Sequence, residues 1–471
     1  MGIQKVLQVL LLVMVIMAGS VLPLKAFEPE PVLQGWLTVQ DITIEGNLRT
    51  RRKVILSELP FSIGSTVNIN ELIGQIERGK ENLMNTSLFN LVEIEFAYTD
   101  RRRIIFNITV KERWYLWAFP IFEQEGRNFS DFLRLNDGSY FNYGLYVKHD
   151  NFRGRRETLR LRMVTGYKKE FRFDYQKPGL NQQSGWGINF NWLWNDQVSY
   201  TTQNDKQVFL KTLGSRLLTK SDVEASYYYR HNLDHHHRVF LGYENVDAAD
   251  TLMVSNPGFL SGGQNRSETL ELGYQYTYDR RDSKVYPLSG QYFDVEFARR
   301  GFGVMSEYTG FFQLSATASY QRPLLNRLYS NTRGFMSAID TGEAPYYFRT
   351  GLGYQDFLNG FEFYVIDGSS YGGVQNKLLY ELIPRRNKTL QWIPLEQFSQ
   401  FHYAFYLKLH FDAGYVLNDN RLPGNRMANT LLLGYGLGID MVTFYDKVLS
   451  LNYSFNNFAE HGFFFQFNLS L

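Results

Sequence analysis

The sequence predicts a mainly β protein: an antiparallel transmembrane β-barrel of about 16 strands behind one small β-α-α-β-β module. Three observations predict it. Long stretches of the last three-quarters alternate strictly between apolar and polar residues. Aromatic residues reach 16 %, with 38 Phe and 32 Tyr. The only helical spacing after the N-terminal signal lies in a short segment of mixed pattern.

Successive strand residues face opposite ways, so a barrel in lipid turns one set outward and the other toward a wet lumen. Leu270, Leu272, Tyr274, Tyr276 and Tyr278 alternate with Glu271, Gly273, Gln275, Thr277 and Asp279. Phe401, Tyr403, Phe405, Leu407, Leu409 and Phe411 alternate with His402, Ala404, Tyr406, Lys408, His410 and Asp412. Leu159, Leu161 and Met163 flank Arg160 and Arg162. Phe463, Phe465, Phe467, Leu469 and Leu471 close the chain. A soluble sandwich gives the same alternation on shorter strands. The aromatic excess favours the barrel, which carries Tyr, Trp and Phe girdles at both interfaces.

Strands are read near 142–149, 157–165, 169–175, 185–194, 206–215, 222–231, 237–245, 268–279, 289–299, 306–321, 332–342, 372–382, 401–416, 431–441, 448–456 and 462–471. The seam between first and last would then join Asn142–His149 to Gly462–Leu471. With the small module in the periplasm, odd-to-even connections should be the long ones. Val246–Ser267 and Glu343–Tyr371 obey, and Gly166–Lys168 is suitably short. Asn195–Asp205 and Ile383–Gln400 are long where turns are expected.

The 471 residues contain no cysteine, which excludes disulfides, Cys-based metal sites and a lipidated N-terminal cysteine. A net charge of +2 argues against nucleic acid as a partner. A mean hydropathy of −0.31 is too polar for a bundle of membrane helices. Residues 1–26 read as a signal peptide: Lys5 is followed by an apolar run, Val6–Ala18, too short to span a bilayer. The expected divisions are 1–26 signal, 36–113 module, 114–139 linker and 140–471 barrel.

Within the module, Leu37–Glu45 alternates and stops at Gly46-Asn47, a turn signal. Arg51–Leu59 and Asn70–Asn85 carry apolar residues at helical spacing, and Pro60 ends the first. Leu88–Tyr98 and Arg103–Glu112 read as strands around an Asp100–Arg102 turn. The pattern Ile42-x-Ile44-x-Gly46-Asn47, Gly64, Asn82-Leu83, Leu88-Phe89 and Val110-x-Glu112 resembles a POTRA domain. That resemblance implies a periplasmic module holding client polypeptides by strand addition at a free edge.

Three barrel segments resemble the BamA/TamA-like superfamily of outer-membrane assembly and translocation barrels, the bacterial surface antigen family. The first is Tyr278-Asp279-Arg280-Arg281-Asp282 with Tyr286-Pro287-Leu288-Ser289-Gly290, like the family's turn before its ninth strand. The second is Leu358-Asn359-Gly360-Phe361 with Ile366-Asp367-Gly368, at the place of the family's long sixth loop. The third is Phe411-Asp412-Ala413-Gly414-Tyr415, like the strand that the loop tip contacts. Glu381-x-x-Pro384 fits the end of the twelfth strand. The family usually carries Arg before Gly-Phe/Tyr, paired with an acidic residue. Here that position is Asn359, which cannot form the bidentate charged pair with Asp412. Either Asn359 donates a neutral hydrogen bond to Asp412, or another basic residue substitutes, or the loop is unlocked.

Gly368-Ser369-Ser370-Tyr371-Gly372 matches a nucleophile elbow in letters, but it sits in a barrel loop near a strand start rather than at a strand-to-helix turn. His231, His235, His236 and His237 read as a polar connection rather than a metal site, for want of supporting carboxylates beyond Asp234. Arg101–Arg103, Arg155–Arg156 and Arg299–Arg300 read as solvated turns or contacts to anionic headgroups.

The expected function is therefore no enzyme. It is assistance to insertion, assembly or translocation of client proteins at the bacterial outer membrane, without a cofactor or a metal. The partners are outer-membrane lipid, unfolded clients held by the POTRA-like module, and accessory periplasmic or lipoprotein subunits. A single module tilts the reading toward an accessory or dedicated role. The alternatives are a passive porin or solute channel and, further off, an outer-membrane hydrolase using Ser370.

Overall fold

The computed structural model of the chain describes residues 35–124 and 141–468, except 167, 181–182, 213–214, 306–309, 341–343, 350, 390–397, 399, 444 and 446. The expected signal peptide, most of the expected linker and the last three residues of the expected final strand lie outside them.

The module is a four-stranded sheet in the order β2-β1-β4-β3, made of β1 (Trp36–Glu45), β2 (Thr66–Asn68), β3 (Phe89–Asp100) and β4 (Arg103–Glu112). Helices Arg52–Leu56 and Leu72–Met84 cover one face. The second helix buries Leu72, Ile76 and Leu83, which lie in one core with Val39, Ile42, Ile55, Ile94, Phe106 and Ile108. The sequence reading missed β2, whose three residues pair with Trp36–Thr38 and are too few to show a period.

Sixteen antiparallel strands then form one sheet. They are β5 (Leu116–Gln124), β6 (Phe141–Phe152), β7 (Glu157–Gly166), β8 (Lys168–Lys177), β9 (Ser184–Asn195), β12 (Leu218–Arg230), β13 (His235–Ala248), β14 (Arg266–Asp279), β15 (Gly290–Arg300), β16 (Phe311–Leu325), β17 (Leu328–Ile339), β18 (Ser370–Thr389), β19 (Gln400–Leu417), β20 (Leu432–Thr443), β21 (Lys447–Asn456) and β22 (His461–Asn468). A separate hairpin, β10 (Gln197–Gln203) and β11 (Lys206–Lys211), stands outside the sheet. The wall sorts its side chains as a membrane barrel must. Leu407, Leu409 and Phe411 are exposed outside, whereas Lys408, His410 and Asp412 are almost fully buried inside.

Two expectations need correction, and they compensate each other in the strand count. The segment read as a linker contains β5, so the sheet's first strand is Leu116–Gln124 rather than Asn142–His149. The stretch 206–215 is no barrel strand. Its strand belongs to the β10–β11 hairpin, whose turn Asn204-Asp205 has both φ positive, as a two-residue type I′ turn requires. Both irregular loop lengths resolve as well. Asn195–Asp205 falls on the long-loop rim, and β18 continues past Ile383 to Thr389, but Gly166–Lys168, expected among the short turns, joins β7 to β8 on the long-loop rim.

The module sits against the opposite, short-turn rim. Only Arg113, Trp114 and Tyr115 separate β4 from β5. Tyr115 is buried, and its hydroxyl bonds Thr50 Oγ1 (2.9 Å) and the Leu88 carbonyl (3.1 Å). Asn151 donates to the same Thr50 hydroxyl (2.8 Å), and Arg51 N–H to the Gly154 carbonyl (2.9 Å). Glu58 is the centre of the contact. Its Oε1 takes Arg156 Nη1 and Arg230 Nη1, each at 2.6 Å, and its Oε2 takes Arg230 Nη2 at 2.9 Å. Arg156 therefore pairs with a buried carboxylate rather than facing solvent or lipid. Burial alone would raise the Glu58 carboxyl, but the two guanidiniums outweigh it and hold it below its ordinary 4.5. Burial and the Arg156 charge pull the nearby Lys284 down to about 8, against the opposing pull of Asp279 and Glu58.

The tract around 231–237 is also not one connection. Residues 231–234 turn, while His235–His237 already belong to β13 and alternate in face. His235 and His237 bond the Tyr276 and Tyr274 hydroxyls (2.7 and 2.8 Å). No cluster of three metal-ligating side chains occurs among the described residues.

A group whose folded pKa is depressed stabilises the fold above its unfolded pKa and loses that effect as pH falls through the lower folded value. The Glu58 cluster should thus be intact above pH 4.5 and loosen below it. Glu58→Gln leaves Arg230 buried without its counter-charge, at a cost on the order of 3–5 kcal/mol. Amide hydrogen exchange at 51–58 and 153–156 should speed up in that variant at neutral pH. Unchanged exchange there would show that the cluster does not hold the junction.

Candidate functional site

The long connection 340–369 folds back into the barrel rather than outward. Its buried Leu352, Leu358, Phe361 and Ile366 form one apolar cluster with Phe335, Tyr371, Val416 and Leu432 of the wall. Polar ties surround it. Arg333 Nη2 meets Asp356 Oδ1 (2.6 Å), Gln375 donates to the Phe357 carbonyl (2.9 Å) and Tyr354 donates to Asp367 (2.9 Å).

At the loop tip, Asp412 Oδ2 accepts both the Asn359 backbone N–H (2.9 Å) and the Asn359 side-chain amide (2.7 Å). Of the three arrangements open to the sequence, the first is realised at this position: a neutral two-donor clamp on one carboxylate oxygen. Arg333 adds a cation elsewhere on the loop. Gly360 sits at φ +88°, and its carbonyl takes the Asn456 amide (2.7 Å). A Cβ there would stand 2.6 Å from the Phe455 carbonyl, and one on Gly434 would stand 1.8 Å from the Asn359 carbonyl. Close approach of the tip to β20 and β21 therefore needs both glycines. Phe361 fills the cluster edge-on to Phe458, with ring centroids 6.2 Å apart. Burial pushes the Glu362 carboxyl up to about 8, and the Asp412 charge adds to this.

The turn 280–289 closes the lumen from the module side. Asp279 holds Arg281 through Nε (2.8 Å) and Nη2 (2.9 Å). Arg280 N–H donates to the Gln291 carbonyl (2.9 Å), and Gly290 lies against the Arg280 carbonyl at φ +110°. Pro287 directly follows Tyr286, the residue with the turn's longest-range side-chain contact within the barrel. Tyr286 reaches across to donate to Asp440 Oδ2 (2.9 Å) and leans on Tyr406 (4.8 Å). Asp440 in turn takes Lys408 Nζ and Ser450 Oγ, each at 2.6 Å. On its other side the turn bonds the module: Asn85 donates to the Arg281 and Asp282 carbonyls (both 3.2 Å) and accepts Lys284 N–H (2.9 Å). The sequence motif thus falls into two sites, the Asn359–Asp412 clamp and the Asp279–Gly290 turn, joined through β19 and β20. Asn85, Tyr286 and Asp440 escaped sequence reasoning. Tyr286 lay inside the quoted motif, but its partner is 154 residues away.

The loop rim is covered too. The β10–β11 hairpin lies over the mouth, and Asp205 accepts Arg426 N–H (2.8 Å) and Met427 N–H (3.3 Å) from the β19–β20 loop. Asn425 takes Asp205 N–H (2.9 Å), and Val365 of the inner loop donates to the Asp205 carbonyl (2.9 Å). Ser370 opens β18 directly, so the serine motif has no strand-to-helix turn.

The seam is the remaining feature. β5 pairs only with β6, and no ladder between β5 and β22 occurs among the described residues. β5 contains Pro120, a residue tolerated at sheet edges because it lacks an N–H. It is apolar on both faces: Leu116, Ala118, Pro120 and Phe122 on one, Trp117, Phe119 and Ile121 on the other.

Residues 37–113 match the POTRA family model, described as surface antigen variable number repeat. No curated protein matches the sequence. Among solved structures, the chain is similar to BamA from Haemophilus ducreyi lacking POTRA domains 1–3, with a TM-score of 0.52 at 15 % identity over 92 % of this chain and 84 % of that one. It is also similar to CdiB from Escherichia coli, with a TM-score of 0.54 at 14 % identity over 91 % and 75 %. The N-terminal module is a POTRA domain, and the chain has the fold of these barrels.

Asn359→Ala removes the side-chain half of the clamp on Asp412 and should cost about 1.5–3 kcal/mol. Gly434→Ala should displace the tip at about 1–3 kcal/mol. Both should expose Arg349 to trypsin faster than in the parent barrel. A tip equally protected in both variants would rule out the clamp as the loop's anchor.

Proposed function

We propose that this chain is an outer-membrane barrel that assists insertion, assembly or translocation of client polypeptides, with its POTRA domain in the periplasm. One observation carries the reading. A domain of a client-holding kind is joined to the barrel's edge strand by only three residues, Arg113–Tyr115, and clamped there by Glu58. The POTRA sheet ends in β2 and β3, and β3 is the longer edge, with 12 residues. An extended client segment added along β3 would be delivered beside β5, which pairs only with β6 among the described residues and can template a further strand.

The step needs no bond-making. Every backbone group entering the bilayer must find a partner, and a sheet edge supplies one while apolar side chains move into lipid. Unfolded clients are the partners proposed for the POTRA edge, outer-membrane lipid for the barrel wall, and accessory periplasmic or lipoprotein subunits for the exposed POTRA surface.

The second reading, a passive porin, is disfavoured by a specific arrangement. The hairpin latch at Asp205 covers one end of the lumen and the Tyr286 turn the other. In planar bilayers the parent protein should stay mostly closed, and Asp205→Ala combined with Tyr286→Ala should open it for longer. A steady large conductance of the parent protein would favour the porin.

Deleting residues 36–113 should leave a barrel that still folds, seen by heat-modifiable mobility, yet does not insert a client barrel into liposomes. Normal client insertion by that truncated protein would sink the proposal. Depletion in cells followed by an outer-membrane proteome should show loss of one or a few proteins for a dedicated role, and broad loss of barrels for a general one.

A further inference from the structure

We infer that a cavity just inside the seam binds the phosphate headgroup of an anionic membrane lipid. The cavity encloses about 840 Å³ where β5 leaves the POTRA domain, within the roughly 300–1,000 Å³ of sites for small amphiphiles.

Its walls differ in chemistry. One is aromatic: Trp114, Trp117 and Phe119 face Phe398 and Tyr445 from the turns after β18 and β20. The Trp117 ring lies edge-on to Tyr445 at 5.2 Å and to Phe398 at 5.7 Å. The other wall is basic, with Arg113, Lys148, Arg156, Arg160, Arg162 and Lys447 against a single lining carboxylate, Asp150.

Several of these cations are matched within the protein. Lys148 pairs with Asp150 (3.1 Å), Arg156 with Glu58 (2.6 Å) and Arg162 with Glu170 (3.3 Å). Arg160 is different. It has no ion pair among the described residues, and its Nε is buried without a hydrogen-bond partner. Asp174 stands opposite it in register but accepts the Asn189 amide. A buried N–H left without an acceptor is costly, and a guanidinium fork is matched best by a phosphate or carboxylate.

The geometry selects a lipid over an acidic peptide. Pro120 and Phe122 also line the cavity, and they stand on the outer face of β5 beside Leu145 and Tyr143. The site therefore reaches from lumen-side cations to bilayer-facing apolar residues. A lipid uses both, with its phosphate on Arg160 and its chains along Phe119 and Phe122. Indole rings at the rim suit such a boundary, apolar on one side and wet on the other.

The inference goes beyond client handling and is tested without a client. The full-length protein is reconstituted in phosphatidylcholine nanodiscs containing a minor fraction of phosphatidylglycerol, re-extracted, and its retained lipid weighed by mass spectrometry. Phosphatidylglycerol should be enriched roughly tenfold over its bulk share. Arg160→Gln should bring it close to bulk, Arg160→Lys should keep part of it, and Arg101→Gln on the POTRA turn should change nothing. Folding of each variant is checked by heat-modifiable mobility. Retention unchanged in Arg160→Gln, or no enrichment in the parent protein, overturns the inference. So does displacement of the lipid by millimolar inorganic phosphate, which marks a small-anion site, or by an acidic peptide, which marks a polypeptide site.

Discussion

In a bilayer no water is present to satisfy a backbone, so every strand of the wall must be paired on both sides. The rest of this structure follows from where that demand is left open. Fifteen ladders close the wall from β5 to β22. Among the described residues two outer edges remain, those of β22 and β5, and β5 is the strand tied most tightly to the POTRA domain. The composition of β5 suits that position: it carries no polar face that would fix it as an interior stave, and Pro120 removes one donor. An edge with fewer donors binds a partner strand less completely.

The lumen explains how such a barrel holds its shape with a weak seam. A pore-forming barrel fills its inside with water, whereas here the inner loop and the 280–289 turn occupy part of the lumen. From the POTRA end, Asn85 fixes the 280–289 turn, whose Tyr286 reaches Asp440. Asp440 binds Lys408 on β19, and two pairs further along the same strand Asp412 holds the Asn359 tip. The tip leans on β20 and β21 through Gly434 and Asn456. The inner contacts thus concentrate on β18–β21, the quarter of the wall just before the last strand, β22. The N-terminal staves carry instead the basic cavity around Arg160. One side of the seam is braced and the other is roomy.

Much of this could be read from residues, and the misses have physical causes. Alternation in β14 and β19 is strong because each strand has one lipid face and one wet face. β5 was invisible to the same test because both its faces are apolar and it contains a proline, features that argue against a strand inside a sheet. β11 misled for the opposite reason. Lys206–Lys211 is a strand, with Val208, Phe209 and Leu210 in a row, but local strand character does not report which sheet it joins. At the loop tip, replacing Arg by Asn reads as loss of a lock, since side-chain charge is visible in a sequence and a backbone N–H is not. The clamp draws one of its two donors from that backbone. Arg156 looked like a solvated turn residue because its counter-charge, Glu58, lies 98 positions earlier in another domain.

That last contact bears on how the two domains act together. A buried ion pair contributes little net stability over an apolar contact of equal size, because desolvating both charges offsets most of their attraction. Its distinct property is geometric. A carboxylate gripped by two guanidiniums tolerates little rotation, whereas apolar surfaces slide. Glu58 lies just beyond the helix Arg52–Leu56, Arg156 comes from the β6–β7 turn and Arg230 from the end of β12. Three elements are therefore fixed at one point, next to the three-residue junction that feeds β5. A flexible linker would let the POTRA domain sample many angles and deliver a bound strand anywhere around the rim. This junction instead fixes the POTRA domain on the barrel rim, so under the proposed function a client strand added to β3 would be aligned with β5 by folding rather than at each encounter.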